Sequence, residues 1–488
     1  MLIKKGEVTR LVVKTLEDYD ELKLAAWSFV RRFDGWAGFG LGYARAYLSM
    51  LVDLVILESG VGYVAALAEA LGRAEAVYAS RGRGGIVDDY KVVYREWSEA
   101  DRGRLSTKLL SGVPRPMPGG RGGGEGLTVI SLFTGAYGLD LGFELAGFEV
   151  AVALDISEDS YRNLGANRPG IPFLLGDIRR FSTRDILREA GLKPGEIDVI
   201  TGGPPCQPFS PAGKRRSLGD PRAAPLMGFI RVVKEARPRV FVMEEVPGIL
   251  SARIRHVPIK ERGKRGLRPE EAPGSAWRVI LSELRGTGYR VAWRVLNAAD
   301  YGAPQTRVRV IVVGVRPDLE KPPVFPEPSH SRDPVKLFTV LKPWLTLAEA
   351  LADIRDHVGF IPLPPKYAKY MRYVPPGGNW RQIPDELKPE AMNAAYRAGG
   401  GRMGFYRRLT WFEPSPTLVT SPAMKATMMV HPWEDRPLSV REYLRIQGFP
   451  DAWRVAVPTQ RAYRLFGEAV PIPLAKAIAR TIRDKILK

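Results

Sequence analysis

A chain of 488 residues exceeds one ordinary domain, and its 45% hydrophobic content is enough to bury more than one core. Its formal charge of +20 points to a polyanionic partner, nucleic acid above all, although many basic proteins bind none. A single cysteine excludes an internal disulfide, and four scattered histidines (His256, His330, His357 and His431) make no ligand spacing, so no metal is expected.

The first residues carry no basic-then-apolar signal pattern. The apolar stretch from Leu51 to Leu71 is interrupted by Asp53, Glu58 and Glu69, which argues for a soluble helix over a membrane span and a cytoplasmic protein. Residues 1–110 read as a mostly helical domain to which no sequence feature gives a role. Up to residue 125 there are 18 Lys and Arg against 16 Asp and Glu, so almost all the excess charge lies further on. Residues 111–126, crowded with Pro and Gly, read as a linker. Five asparagines and one cysteine beside 41 prolines fit a thermophilic source.

From Leu127 short apolar runs alternate with helical segments. Strands are expected at Thr128–Phe133, Glu149–Leu154, Ile197–Thr201 and Val240–Met243, with helices at Leu139–Leu145, Arg184–Ala190 and Leu226–Ala236 between them. A helix over 276–286 and strands over 289–297 and 308–315 continue the series. Such alternation means βαβ units around a parallel sheet, an α/β fold of Rossmann type. Residues 316–406, with Pro322-Pro323 and Pro362-Leu-Pro-Pro365, break the rhythm and read as a separate small module. Helical signals return at Val440–Gln447 and Pro473–Asp484.

The first strand-to-helix turn is Ser131-Leu-Phe-Thr-Gly-Ala-Tyr-Gly138. Glycines there let backbone N–H groups approach a ligand at a helix N-terminus, and Asp155, twenty positions after Gly135, is placed for ribose hydroxyls. A second acid, Asp177, follows another apolar run. The turn and the two acids outline an adenosine pocket without separating NAD from S-adenosylmethionine. Next comes Thr201-Gly-Gly-Pro-Pro-Cys-Gln-Pro-Phe-Ser210, at a strand's carboxyl end where such sheets bind ligands. A lone cysteine is usually a buried apolar filler. Two prolines and two glycines stiffening the loop around Cys206 point instead to a nucleophile, which must work as thiolate. The following strand delivers Glu244 and Glu245 to the same edge.

These segments resemble the motifs of the DNA cytosine-5 methyltransferase family, restriction-modification type. Gly-Pro-Pro-Cys-Gln-Pro-Phe-Ser is similar to its nucleophile motif, Phe-Thr-Gly-Ala-Tyr-Gly to its cofactor motif, and Glu244-Glu245-Val246 to its Glu-Asn-Val motif. Gln305-Thr-Arg-Val-Arg309 fits Gln-x-Arg-x-Arg. Arg436-Pro-Leu-Ser-Val-Arg-Glu442 with Leu444-Arg-Ile-Gln-Gly-Phe-Pro-Asp451 resembles the penultimate motif, and Tyr463-Arg-Leu-Phe-Gly-Glu-Ala-Val-Pro471 the closing Gly-Asn-x-Val motif. The resemblance implies methyl transfer from S-adenosylmethionine to C5 of a cytosine flipped out of double-stranded DNA, by a monomer. Cys206 would attack C6, Glu244 protonate N3, and Arg309 hold O2 with Arg307 in support. Phe133, Thr134, Gly135, Gly138 and Pro205 would line the cofactor pocket, as would Asp155, Ile156, Asp177 and Ile178, with Glu468 and Val470 closing it. It also implies a catalytic domain of residues 127–319 and 407–488, a target-recognition domain of 320–406, and, as a companion it allows, a cognate restriction endonuclease.

Three residues depart from the family pattern: Tyr137 stands for a glycine, and Glu245 and Glu468 for asparagines. Tyr137 is expected to crowd the cofactor loop. Within 320–406 and just beyond, Tyr373-Val-Pro-Pro-Gly-Gly-Asn-Trp380, Gly399-Gly-Gly401, Arg402, Arg407 and Arg408 suit phosphate and base-edge contacts. A second basic stretch, Arg253 to Arg268, is a candidate for backbone contacts. Two rivals remain: the tRNA-methylating branch, whose extra recognition-region cysteine is missing here, and a silent DNA-binding relative, against which the intact frame of Cys206 argues.

Overall fold

The computed structural model describes residues 16–33, 40–59, 63–99, 126–205, 224–255, 257, 266–332, 335–336, 339–351, 353–354, 359–397 and 404–488. The chain divides into two compact units: residues 1–118, 329–446 and 462–467 in one, and 119–328, 447–461 and 468–488 in the other. The expected linker, apart from Gly126, lies outside the described residues.

In the first unit, α1 (Leu16–Arg31), α2 (Gly40–Ser59) and α3 (Tyr63–Glu99) account for the helical N-terminus. Tyr19, Leu22, Ala26, Phe29, Val30 and Phe33 recur at helical spacing, and all are buried. Gly82, at φ 62°, kinks α3 where a side chain would be strained.

The second unit is built on a sheet. Its first five strands are β1 (Leu127–Leu132), β2 (Phe148–Asp155), β3 (Phe173–Leu175), β4 (Val199–Gly202) and β5 (Val240–Glu245). Between and after them come α4 (Gly138–Glu144), α5 (Glu158–Asn167), α6 (Thr183–Glu189), α7 (Ala224–Ala236) and α8 (Ser275–Gly286). β6 (Arg290–Asn297), a short β7 (Gln305–Thr306) and β8 (Val308–Val315) follow. The order across the sheet is β3-β2-β1-β4-β5-β8-β6. The first five are mutually parallel, and β8 runs antiparallel to both β5 and β6. Strands covered on both faces carry unbroken apolar runs. Ile130, Leu132, Val152, Ile200, Phe241, Met243 and Val312 therefore pack with Ile186, Phe229, Val233, Ile280 and Leu284 from the helices in one core.

The chain leaves β1 toward β2 on one side and later places β4 on the other. This reversal opens a crevice at the carboxyl ends of β1 and β4, the place where open α/β sheets bind ligands. The strand and helix expectations match the structure to within a few residues. The apolar run before Asp177 is the three-residue β3, and unforeseen was α5, whose only buried aliphatic side chain is Leu164.

The middle of the chain is irregular, as expected. It holds α9 (Leu347–Leu351), α10 (Pro365–Met371), α11 (Lys388–Met392) and α12 (Ala394–Arg397). Leu363, Tyr370, Met371, Val374, Ile383, Met392, Tyr406, Met428 and Val430 form its own core, so this packing runs on past residue 406. Three helices complete the chain: α13 (Val440–Gln447), α14 (Thr459–Glu468) and α15 (Ile472–Ile482).

Candidate active site

The turn after β1 is held in an unusual backbone path. Phe133, Gly135 and Tyr137 have φ of 58°, 55° and 73°, a left-handed region that costs a non-glycine residue energy. Hydrogen bonds fix it: Thr134 N donates to Leu154 O at 3.2 Å, Gly135 N to Asp155 Oδ2 at 2.8 Å, and Ser160 Oγ to Gly135 O at 2.6 Å. Asp155 also accepts from Ser157 N at 2.8 Å, so both its oxygens tie the loop. Burial raises its carboxyl, opposed by those N–H bonds.

Tyr137 does not crowd the loop. Its ring stacks on Trp453 at 6.1 Å and 18°, and its hydroxyl donates to Glu144 Oε1 at 2.6 Å. Packing of this kind is what offsets the left-handed φ. Gly138 is required by contact, because a Cβ would lie 2.4 Å from Val470 O.

Beyond the end of β3, Asp177 caps the turn Ile178–Arg180 and pairs with Arg179 at 2.5 Å, which holds its carboxyl below the usual range. Ile178 is buried, whereas Ile156 is 69% and Leu175 42% exposed. An uncovered apolar pair at the carboxyl ends of β2 and β3, beside two acids, suits a flat purine on a ribose. The residues present therefore fit S-adenosylmethionine. Asp140, in the first turn of α4, went unnoticed in the sequence because it reads as an ordinary helix-start acid. It is buried, accepts from Thr201 Oγ1 at 3.1 Å, and burial pushes its carboxyl up to about 7.

At the end of β4, Gly202, Gly203, Pro204 and Pro205 lead toward Cys206, which with residues 207–223 lies outside the described residues. A Cβ on Gly203 would sit 3.0 Å from Glu244 Oε2, so this backbone passes directly beside the carboxylate. Across the sheet Glu244 pairs with Ile311 of β8. Arg309, two positions away on the same face, reaches Glu244 with Nε at 2.6 Å from Oε1. Its Nη1 donates to Val308 O at 2.7 Å. Arg307 is buried and donates from Nη2 to Glu468 O at 2.8 Å. Gln305 Nε2 donates to Gln447 Oε1 at 3.0 Å, and Gln447 Nε2 to Ala469 O at 3.3 Å. The closing motif is thus stitched to the Gln-x-Arg-x-Arg segment through main-chain oxygens, and the Glu468 side chain is left exposed. Nothing in the sequence marked Gln447 as the link, because its partners lie 142 and 22 residues away.

Glu245 points into the interior and is 1% exposed. Burial first, and the neighbouring Glu244 charge second, raise its carboxyl well above the ordinary value. A neutral acid offers one donor and one acceptor, as the amide of asparagine does. That accounts physically for the exchange at this position.

The arginines expected to face nucleic acid behave differently from one another. Arg408 is an interior strut: it donates to the main-chain oxygens of Val374, Met371, His431 and Glu434 at 2.7–3.2 Å and pairs with Asp435. This corrects its reading as a DNA contact. Arg407 is half-buried, donates to Met428 O at 3.3 Å, and burial with the nearby Arg45 charge pushes it down to about 10. Arg402 and Gly399–Gly401 lie outside the described residues, as do Lys260, Arg262, Lys264 and Arg265. Arg253 donates to Glu271 O at 2.8 Å, and Arg255 is exposed. Among the described residues no group of acids and histidines could hold a metal, and no helix is long and apolar enough to cross a membrane.

The family model for C-5 cytosine-specific DNA methylase matches residues 127–484. The chain is 36% identical over 363 residues to the type II methyltransferase M.PspPI of Psychrobacter sp. (strain TA137), covering 73% of this chain and 78% of that protein. It is 35% identical over 354 residues to M.Sau96I of Staphylococcus aureus, covering 72% and 75%. Among solved structures, a DNA modification methyltransferase encoded within an Escherichia coli prophage shares 25% identity at a TM-score of 0.49, covering 74% of this chain and all of that one.

Proposed function

Since this chain belongs to the C-5 cytosine-specific DNA methylase family, we propose that it takes its methyl group from S-adenosylmethionine and methylates a cytosine flipped out of a specific duplex sequence, through a covalent bond from Cys206 to C6. Its relatives are type II methyltransferases, so the activity is that of a restriction-modification enzyme.

Cytosine C5 is too poor a nucleophile to take a methyl group unaided. Addition of the Cys206 thiolate to C6 shifts the C5–C6 π electrons toward the ring, and a proton passed from Glu244 to N3 leaves an enamine whose C5 can attack. Bound S-adenosylmethionine supplies an electrophilic methyl on a positive sulfur. Arg309, in contact with Glu244, would hold O2, and Arg307 fixes the closing segment. Loss of the C5 proton, departure of the Cys206 sulfur as thiolate and return of the N3 proton to Glu244 then restore the aromatic ring and the acid. A stacked base admits none of this, so flipping comes first, at a cost of a few kcal/mol. Thr134, Gly135 and Gly138 shape the turn for the cofactor, with Asp155 and Asp177 toward its ribose and base.

The observation that carries this reading is the 2.6 Å Glu244–Arg309 pair beside Gly203, three residues before Cys206. Cys206→Ala should abolish methyl transfer and retain DNA binding. Duplex DNA with 5-fluorocytosine in the target site should trap a covalent adduct with the unaltered enzyme, because fluorine does not leave as a proton does. An adduct on the alanine variant, or methylation of tRNA in preference to duplex DNA with labelled S-adenosylmethionine, would overturn the proposal. Base choice is proposed for residues 320–406, and Arg255 for sequence-blind phosphate contact.

A further inference from the structure

Residues 1–126 lie outside the family match, yet the described N-terminal helices are packed into the unit that contains residues 329–446. The connection is polar, buried and spread over two helices. From α1, Tyr19 Oη lies 3.2 Å from Thr346 Oγ1, and Trp27 Nε1 donates to Phe412 O at 3.1 Å. Lys23, 0% exposed, donates to Glu349 Oε1 at 2.8 Å and also pairs with Asp20 at 2.8 Å. From α2, Arg45 pairs with Glu413 at 2.6 Å, Ser49 meets Thr410 at 2.7 Å, and Asp53 accepts from Trp433 Nε1 at 2.8 Å. Gly377 completes the fit, since a Cβ there would lie 2.8 Å from Arg45 Cγ.

These contacts converge on three segments: 346–349, 410–413 and 433. The first and last of these flank the region whose own core runs from Leu363 to Val430, and 410–413, like Gly377, lies within it. The N-terminal helices therefore hold the frame on which the recognition loops hang. Glu349 shows how far the dependence goes. Its Oε2 accepts from Thr346 N at 2.7 Å, which ties α9 in place, while Oε1 relies on a lysine from α1. Without that cation a buried carboxylate is left uncompensated, which strongly destabilises its surroundings.

We infer that the N-terminal helices are an integral part of the target-recognition unit, a clamp on which DNA affinity and site choice depend, rather than a separate appended domain. This rests on the methyltransferase reading for its functional half, and the test is built so that the two can fail separately. A protease site placed between Gly119 and Glu125 of the full chain allows cutting after folding. The cut N-terminal piece should stay with the remainder through size exclusion at high salt. In the intact chain, Lys23→Met should lower amide-exchange protection over 346–349 and 410–413 but not over β1, β4 and β5. It should raise KM for DNA and erode discrimination against near-cognate sites several-fold, with cofactor affinity unchanged. Adding Glu349→Gln removes the stranded charge and should restore much of both, which separates the clamp from general misfolding. Release of the N-terminal piece with site choice and KM intact would overturn the inference, as would unaltered protection in Lys23→Met. If the unaltered enzyme methylates no DNA, the exchange and co-elution results still decide the clamp alone.

Discussion

Asp140 and Glu245 are buried carboxyls on the two sides of β4, and burial is the largest influence on each. Asp140 has a folded value near 7 against an ordinary 3.8, so the folded chain binds its proton more tightly than the unfolded one. Its stabilising effect is therefore full below about pH 4 and is lost as the pH rises through about 7. Asp140→Asn, which keeps an acceptor for Thr201, should gain melting temperature relative to wild type between pH 5 and pH 8. A difference constant across that range would refute a protonated buried acid. Glu245, raised in the same direction, should make Glu245→Gln gain on wild type as the pH rises, and the variant should keep methylation because it preserves a neutral donor and acceptor. At this scale the sequence was a good guide wherever a residue's role depends on near neighbours. Gly203 and Glu244 were legible from their strand ends. Arg408 was not, because the carbonyls that consume it come from residues 371, 374, 431 and 434.

Between elements, the pairing of α4 with α15 shows packing overruling propensity. Gly142 sits inside α4, where alanine would ordinarily add about 1 kcal/mol of helix stability. Its Cβ, however, would meet Ala475 Cβ at 2.3 Å and Lys476 N at 2.7 Å, and backbone cannot give way as a side-chain tip does. Forced overpacking costs about 1–3 kcal/mol, so Gly142→Ala should be net destabilising. Thermal unfolding checks this, and a rise in melting temperature would show that α15 can shift aside. The strands of the sheet were readable because burial on both faces leaves long apolar runs. α5 escaped notice for the opposite reason: it starts on a Ser157 cap and presents little apolar surface. The attachment of α1 and α2 to residues 346–433 was invisible for a third reason. Contacts across more than 300 residues, such as Lys23 with Glu349, leave no periodic trace.

For the molecule as a whole, the charge of +20 lies almost entirely beyond residue 125, so DNA association should weaken steeply with salt. Each phosphate neutralised contributes about 0.9 to the slope of log affinity against log salt. Arg255→Ala should lower that slope by about one contact without changing the methylated sequence, and an altered sequence would mean that Arg255 reads bases. The crevice itself is assembled from distant parts of the chain: Gly138 meets Val470, and Arg307 meets Glu468. A ribosome completing this protein has already released β1 through β8 before α15 exists. Until those last residues emerge, the face of α4 that α15 covers stays bare and the turn at 133–138 has no wall. A chain cut short before α15 therefore carries an uncovered apolar face, the kind of surface that makes incomplete chains prone to aggregate.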